Sequence, residues 1–91
     1  MRFEWDTNKE KHDIAKHGVL FKDAEEALTC GLVVVLSEDK RHSEQRFVFM
    51  GICKKLNVLV VVAADPDEEA TRIISARKAT KKERQIYEAQ L

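Results

Sequence analysis

Apolar and polar residues alternate at Phe3-Glu4-Trp5, which predicts a short strand that buries two aromatic rings. Asp6 or Thr7 can cap the helix that follows, since the side-chain oxygen of either can take an orphan backbone N–H, and Thr7 with Glu10 has capping-box spacing. That helix carries Lys9, Lys11, His12, Asp13 and Lys16, with only Ile14 and Ala15 clearly apolar, so most of it faces water. Gly18 supplies its stop, because glycine accepts the left-handed backbone after a helix end. Phe21, Ala24 and Leu28 then recur at helical spacing with Ala27 beside them, predicting a second, amphipathic helix over residues 21–29 that ends before Gly31.

From Leu32 the pattern turns to β-branched runs at residues 32–36, 46–52, 57–64 and 71–77, which predict four strands. The connections 53–56 and 65–70 are short and polar. They are too short for the helical crossover that parallel neighbours need, so antiparallel hairpins are expected. Seven apolar residues in succession, Val58 to Ala64, fit a central strand covered on both faces. Thr80 and Glu83 repeat the capping-box spacing and open a terminal helix through Tyr87 to about Ala89. The order strand, two helices, four strands, one helix predicts an α+β fold with a four-stranded, mainly antiparallel sheet, in one domain over residues 1–91.

Composition adds little to the fold and more to the partner. The chain has no net charge, yet residues 71–91 hold six Lys and Arg against two Glu, a local balance of +4. This asymmetry points to an anionic partner with nucleic acid foremost, although a solvated basic helix face gives the same count. Cys30 and Cys53 lie in or beside apolar segments, which suits reduced thiols better than a disulfide framework, with a single bridge still open. The N-terminus has acids where a secretion signal needs an apolar run, and no run is long enough to span a membrane, so the expected compartment is the cytoplasm. The cysteines and histidines show no paired ligand spacing and there is no glycine-rich phosphate loop. Neither a metal nor a cofactor is expected.

Four blocks in order, Phe3-Glu4-Trp5-Asp6, Lys16-His17-Gly18-Val19 with Phe21, Glu44-Gln45-Arg46 with Gly51, and Arg72 to Thr80 with Glu83, Arg84 and Tyr87, make the chain resemble the BrnT family of type II toxins. The resemblance covers nearly the whole length. It implies a RelE-like fold, ribonuclease activity that slows translation and growth, a cognate antitoxin with a DNA-binding domain, and repression of the operon through operator DNA bound by the complex. Leu20 departs from the family pattern, which commonly has a serine there able to cap the second helix; a weakened cap is expected.

Cleavage of RNA by attack of a ribose 2′-OH on the adjacent phosphate needs a base, cationic donors for the charge building on phosphorus, and an acid for the leaving oxygen. Arg77, Arg72 and Arg46 offer planar donor forks for phosphate. Residues five apart in a regular strand point to opposite faces, so Arg72 and Arg77 share a site only if a bulge or an early strand end intervenes; otherwise Arg77, at the strand-to-helix junction, is preferred. Tyr87 can stack on a base or donate a proton, or pack on the sheet with Ile86. His17 suits proton transfer at neutral pH or a plain helix-end role. Lys78, Lys81, Lys82 and Arg84 are the expected RNA-binding residues, and Lys16 is either a phosphate contact or a solvated side chain. His12 and His42 read as surface residues, and Glu44 as a base or as a salt-bridge partner of Arg46. An uncovered part of the sheet would serve the antitoxin or self-association as a homodimer. A non-catalytic RNA- or protein-binding module and a subunit of a DNA-binding repressor complex remain the other readings.

Overall fold

The computed structural model describes residues 2–29, 31–39, 45–67 and 70–91. The expectations for Cys30, His42 and Glu44 lie outside them. The elements are β1 (Arg2–Glu4), α1 (Thr7–His17), α2 (Phe21–Thr29), β2 (Val34–Asp39), β3 (Arg46–Ile52), β4 (Val58–Asp67), β5 (Ala70–Lys78) and α3 (Lys81–Glu88), in the expected order. The sheet, however, has five strands, in the order β1-β5-β4-β3-β2. β1 joins the edge as a parallel neighbour of β5, while the other three pairings are antiparallel. The four-stranded expectation is corrected by that addition: a parallel partner nearly seventy residues away leaves no mark on local periodicity.

β4 is central, and its alternate residues feed two cores. Leu59 and Val61 meet Phe21, Ala24 and Ala27 of α2, with Val19, Cys53, Ile73 and Ala76 and the rims of Phe3, Trp5 and Leu28. On the other side Val58 and Val60 meet Met50 and Tyr87 of α3. Full burial of an aliphatic side chain contributes about 1.5–3 kcal/mol, so an uninterrupted apolar β4 stabilises both layers at once. The Trp5 and Phe21 rings meet edge to face, 6.2 Å apart at their centres, and seat β1 against α2.

The caps follow side-chain chemistry. Asp6, not Thr7, caps α1, accepting from the Asn8 and Lys9 N–H groups at 2.8 and 3.3 Å. Gly18 ends it at φ 70°, in the left-handed region. At the start of α2, where Leu20 has no oxygen to offer, the Glu10 carboxylate reaches over from α1 and accepts the Phe21 N–H at 3.0 Å. A second carboxylate of α1, Asp13, accepts the Ala76 N–H of β5 at 3.1 Å, and so ties the helix to the sheet edge beyond β1. Cys53 is a buried free thiol.

The α2 layer sits close because Gly51 has no side chain: a Cβ there would run into the Ala27 carbonyl and Cβ. Helix backbone cannot swing aside as a flexible side chain would, so Gly51→Ala is expected to destabilise the fold by roughly 1–3 kcal/mol. Urea unfolding checks this, and an unchanged midpoint would refute the close approach.

Candidate functional site on the α3 face of the sheet

α3 covers only one end of its sheet face. Beyond the patch formed by Tyr87, Met50, Val58 and Val60, the β4 side chains on this face are Val62 and Ala64, and the strand register places their neighbours. Arg77, Ser75 and Arg72 of β5 stand opposite Val60, Val62 and Ala64; Met50, Val48 and Arg46 of β3 stand opposite the same three. Directly opposed residues of an antiparallel pair share a face. All three candidate arginines therefore rise from the α3 face.

A β-bulge makes this possible. The register slips between Val62↔Ser75 and Ala63↔Ile73, so Ile74 is an extra residue in β5 and the alternation of faces resets across it. Ile73 and Ala76 both stay in the core beneath α2, while Arg72 and Arg77 stand together on the other side. The rows of side chains are two residues apart, about 7 Å along the strands. One row reads Arg72, Ala64, Arg46, with a lone methyl between the two guanidinium-bearing strands. β1 extends it: Glu4 pairs with Arg72, and because Phe3 turns to the α2 core, Glu4 stands on the α3 face.

The arginines differ in their commitments. Arg77 makes a two-pronged contact with Glu83, at 2.7 and 2.9 Å, and a further bond to the Lys78 carbonyl at 3.3 Å. Glu83 also closes the capping box of α3, accepting the Thr80 backbone N–H at 2.9 Å while Thr80 accepts the Glu83 N–H at 3.2 Å. Hydrogen bonding from Arg77, and then from the Thr80 backbone, holds the Glu83 carboxyl down at about 2. The same hydrogen bond raises the Arg77 guanidinium above its ordinary value. Arg46, by contrast, has a buried Nε–H with no hydrogen-bond partner among the described residues.

Tyr87 is 2% exposed, its ring within the α3 core and its hydroxyl donating to the Leu32 carbonyl at 2.9 Å. This is the packing arrangement, not that of a ring open to a base, and Ile86 turns outward instead of packing with it. His17 ends α1, off the strands that carry the arginine row, and the chain passes from it through Gly18 into Val19 of the α2 core. Lys78, Lys81, Lys82 and Arg84 are exposed along the end of β5 and α3. Surface hollows lie on α1 around Asn8, Lys11, His12 and Ala15, and on α3 around Lys81, Arg84, Gln85 and Glu88, away from the arginine row. Among the described residues no three His, Cys, Asp or Glu side chains gather into a metal-binding group, and no helix is long and apolar enough to cross a membrane.

Sequence reasoning passed over Glu4 and Ser75 as site residues. Ser75 carried a usable signal, a hydroxyl between the apolar Ile74 and Ala76 on the side of Arg77. Glu4 carried half of one: burial of Phe3 and Trp5 turns it to the opposite face, but only the pairing of β1 with β5 shows what stands beside it.

Comparison with known proteins bears on this geometry. Residues 5–83 match the model of a family described as the ribonuclease toxin, BrnT, of type II toxin–antitoxin systems. The fold is similar to the 1.1 Å crystal structure of the Brucella abortus ribonuclease toxin BrnT, with a TM-score of 0.70 and 29% identity over 89% of this chain and 99% of that one. No curated protein matches.

The Arg77–Glu83 contact has a measurable signature. A carboxyl held at about 2 against an ordinary 4.5 binds its proton less readily folded than unfolded. The stability it contributes is complete above about pH 4.5 and is lost as pH falls toward 2. Glu83→Gln should lower stability at neutral pH and flatten the acid-unfolding curve in that window, followed by circular dichroism; a curve parallel to the wild-type one would contradict the contact.

Proposed function

Because the chain belongs to the BrnT family, the ribonuclease toxins of type II toxin–antitoxin systems, we propose that it cleaves RNA without a metal on the α3 face of a RelE-like scaffold. The observation that carries this reading is the bulge at Ile74, which stands Arg72 on the face of Arg46 with only Ala64 between them. Two planar donor forks on neighbouring strands suit a phosphate that gains charge as the 2′-oxygen attacks, since each fork can meet two oxygens. The unpartnered Nε–H of Arg46 is a donor to which an anion would give a partner. Donors set in place before the reaction stabilise the transition state without reorganising, and removing one typically costs on the order of 100- to 1,000-fold in rate.

The other candidates take supporting parts. Arg77 holds α3 through Glu83 and adds positive charge beside the floor. Tyr87 fixes the same helix from within. Lys81, Lys82 and Arg84 form a basic track for the flanking RNA, whose grip would weaken with salt as counterions compete, while Lys78, opposite Leu59, stands on the α2 side of the sheet. His17 serves at the end of α1, where a cation meets the last carbonyls. The toxin reading carries further expectations: cytoplasmic action on translation and growth, neutralisation by an antitoxin with a DNA-binding domain, operator binding by the complex, and self-association as an alternative use of the sheet's free surface.

The second reading, a module that binds RNA or protein without cutting, is favoured by the pairing of Arg77 with Glu83 and the burial of Tyr87, which leave fewer groups free for chemistry. Incubation of the purified protein with RNA in EDTA separates the two. Fragments should appear, Arg46→Ala and Arg72→Ala should each slow their formation on the order of 100-fold, and induced expression without antitoxin should arrest growth. Intact RNA with binding retained would establish the module instead.

A further inference from the structure

RNA cleavage at the Arg72–Arg46 row needs a proton acceptor for the 2′-hydroxyl, and none of the arginines, lysines or buried groups described above supplies it. Glu83 is poorly suited, since both its oxygens already accept from Arg77 or Thr80. His17 stands at the end of α1 and belongs to no strand of the row. The geometry points to Glu4 as the general base, an inference that rests on the ribonuclease reading of this face.

Three observations converge on Glu4. It is in hydrogen-bonded register with Arg72, so the two Cα atoms are about 5 Å apart and the row across four strands runs Glu4, Arg72, Ala64, Arg46. It stands on the α3 face because Phe3, its neighbour in the strand, is turned to the other. It is exposed on an edge strand, and its carboxylate makes no hydrogen bond or ion pair with any described residue. A surface glutamate beside an arginine would ordinarily be read as a salt bridge, yet Glu4 forms none. Repulsion between a carboxylate and the RNA backbone is the obvious objection; Arg72, on the adjoining strand, offsets it.

With the phosphate held between Arg72 and Arg46, the attached ribose can direct its 2′-hydroxyl toward β1. Glu4 takes the hydroxyl proton, the 2′-oxygen forms a bond to phosphorus, and the bond from phosphorus to the 5′-oxygen breaks. The 5′-oxygen leaves with the electron pair and is protonated by solvent water, giving a 2′,3′-cyclic phosphate and a 5′-hydroxyl. Glu4 then returns its proton to solvent. The arginines carry the charge and Glu4 the proton, a division that keeps the base out of the anion clamp.

Glu4→Gln keeps the size and hydrogen-bonding capacity of the side chain and removes its basicity. Being exposed, the change should leave the melting temperature unaltered. Single-turnover cleavage of RNA should fall on the order of 100-fold or more, while affinity for a 2′-O-methyl oligonucleotide of the same sequence, which lacks the nucleophile, stays within about twofold, because no phosphate contact is lost. Glu4→Asp should recover part of the rate. If the wild-type protein cleaves RNA and Glu4→Gln cleaves equally fast, Glu4 is not the base and the ribonuclease reading stands. Equal losses of cleavage and affinity would also overturn the proposal, in favour of a binding role. A wild-type protein that leaves RNA intact would overturn this inference and the ribonuclease reading together.

Discussion

From Arg72 to Lys78, β5 has one residue more than the stretch of β4 that it faces, Leu59 to Ala64, and much of the molecule follows from where that surplus is placed. In a regular ladder a slip of one residue sends every later side chain to the opposite face. Confined to Ile74, the slip instead lets Ala76 and Ile73 remain beneath α2 while Arg77 and Arg72 remain together on the other side. Without the bulge, placing Arg72 on the arginine face would turn Ala76 out of the α2 core and send Arg77 into it. The irregularity thus reconciles a core that wants its apolar residues on one side with a face that gathers its arginines on the other.

The second constraint is the anchoring of a short helix. α3 spans eight residues, Lys81–Glu88, too few to be stable alone in water, and its only buried side chain is Tyr87. Its hold on the sheet comes from the two ends of that arrangement: the Tyr87 ring and hydroxyl toward its C-terminus, and the Thr80–Glu83 capping box joined to Arg77 at its start. Arg77 was attractive as a catalytic group because it lies at a basic junction. The same junction is where a helix needs a partner for its capping carboxylate, and the two-pronged contact shows that need being met.

What could be read from the chain before its structure was whatever depends on near neighbours. The apolar run of Val58 to Ala64 announced a doubly covered strand, Gly18 a helix stop, and Thr80 with Glu83 a helix start. Each rests on interactions within a few residues. The position of β1 rests on a parallel pairing between Phe3 and Thr71, and periodicity cannot report a partner so distant. The arginine face was half legible: parity showed that Arg72 and Arg77 needed a bulge or an early strand end to meet, but which of the two occurs, and where, is settled by how the side chains of both cores fit. The weakened cap expected from Leu20 was a sound local deduction that could not foresee a carboxylate arriving from another helix. The lesson of Glu4 is similar, since its face followed from Phe3 and Trp5 while its neighbour did not.

The incomplete cover on the α3 side has a consequence for control. Catalysts that work inside clefts can be governed by the opening and closing of a lid, a motion with its own equilibrium and its own energetic bias. On the ribonuclease reading, a row of groups on the part of the sheet beyond α3 offers, among the described residues, no such hinge to push. On that reading the direct means of silencing it, short of unfolding the sheet, would be for another molecule to lie on it, and restraint would become a matter of counting: the fraction of sites at work would equal the fraction left unoccupied, and the control variable would be the relative supply of two molecules instead of the shape of one.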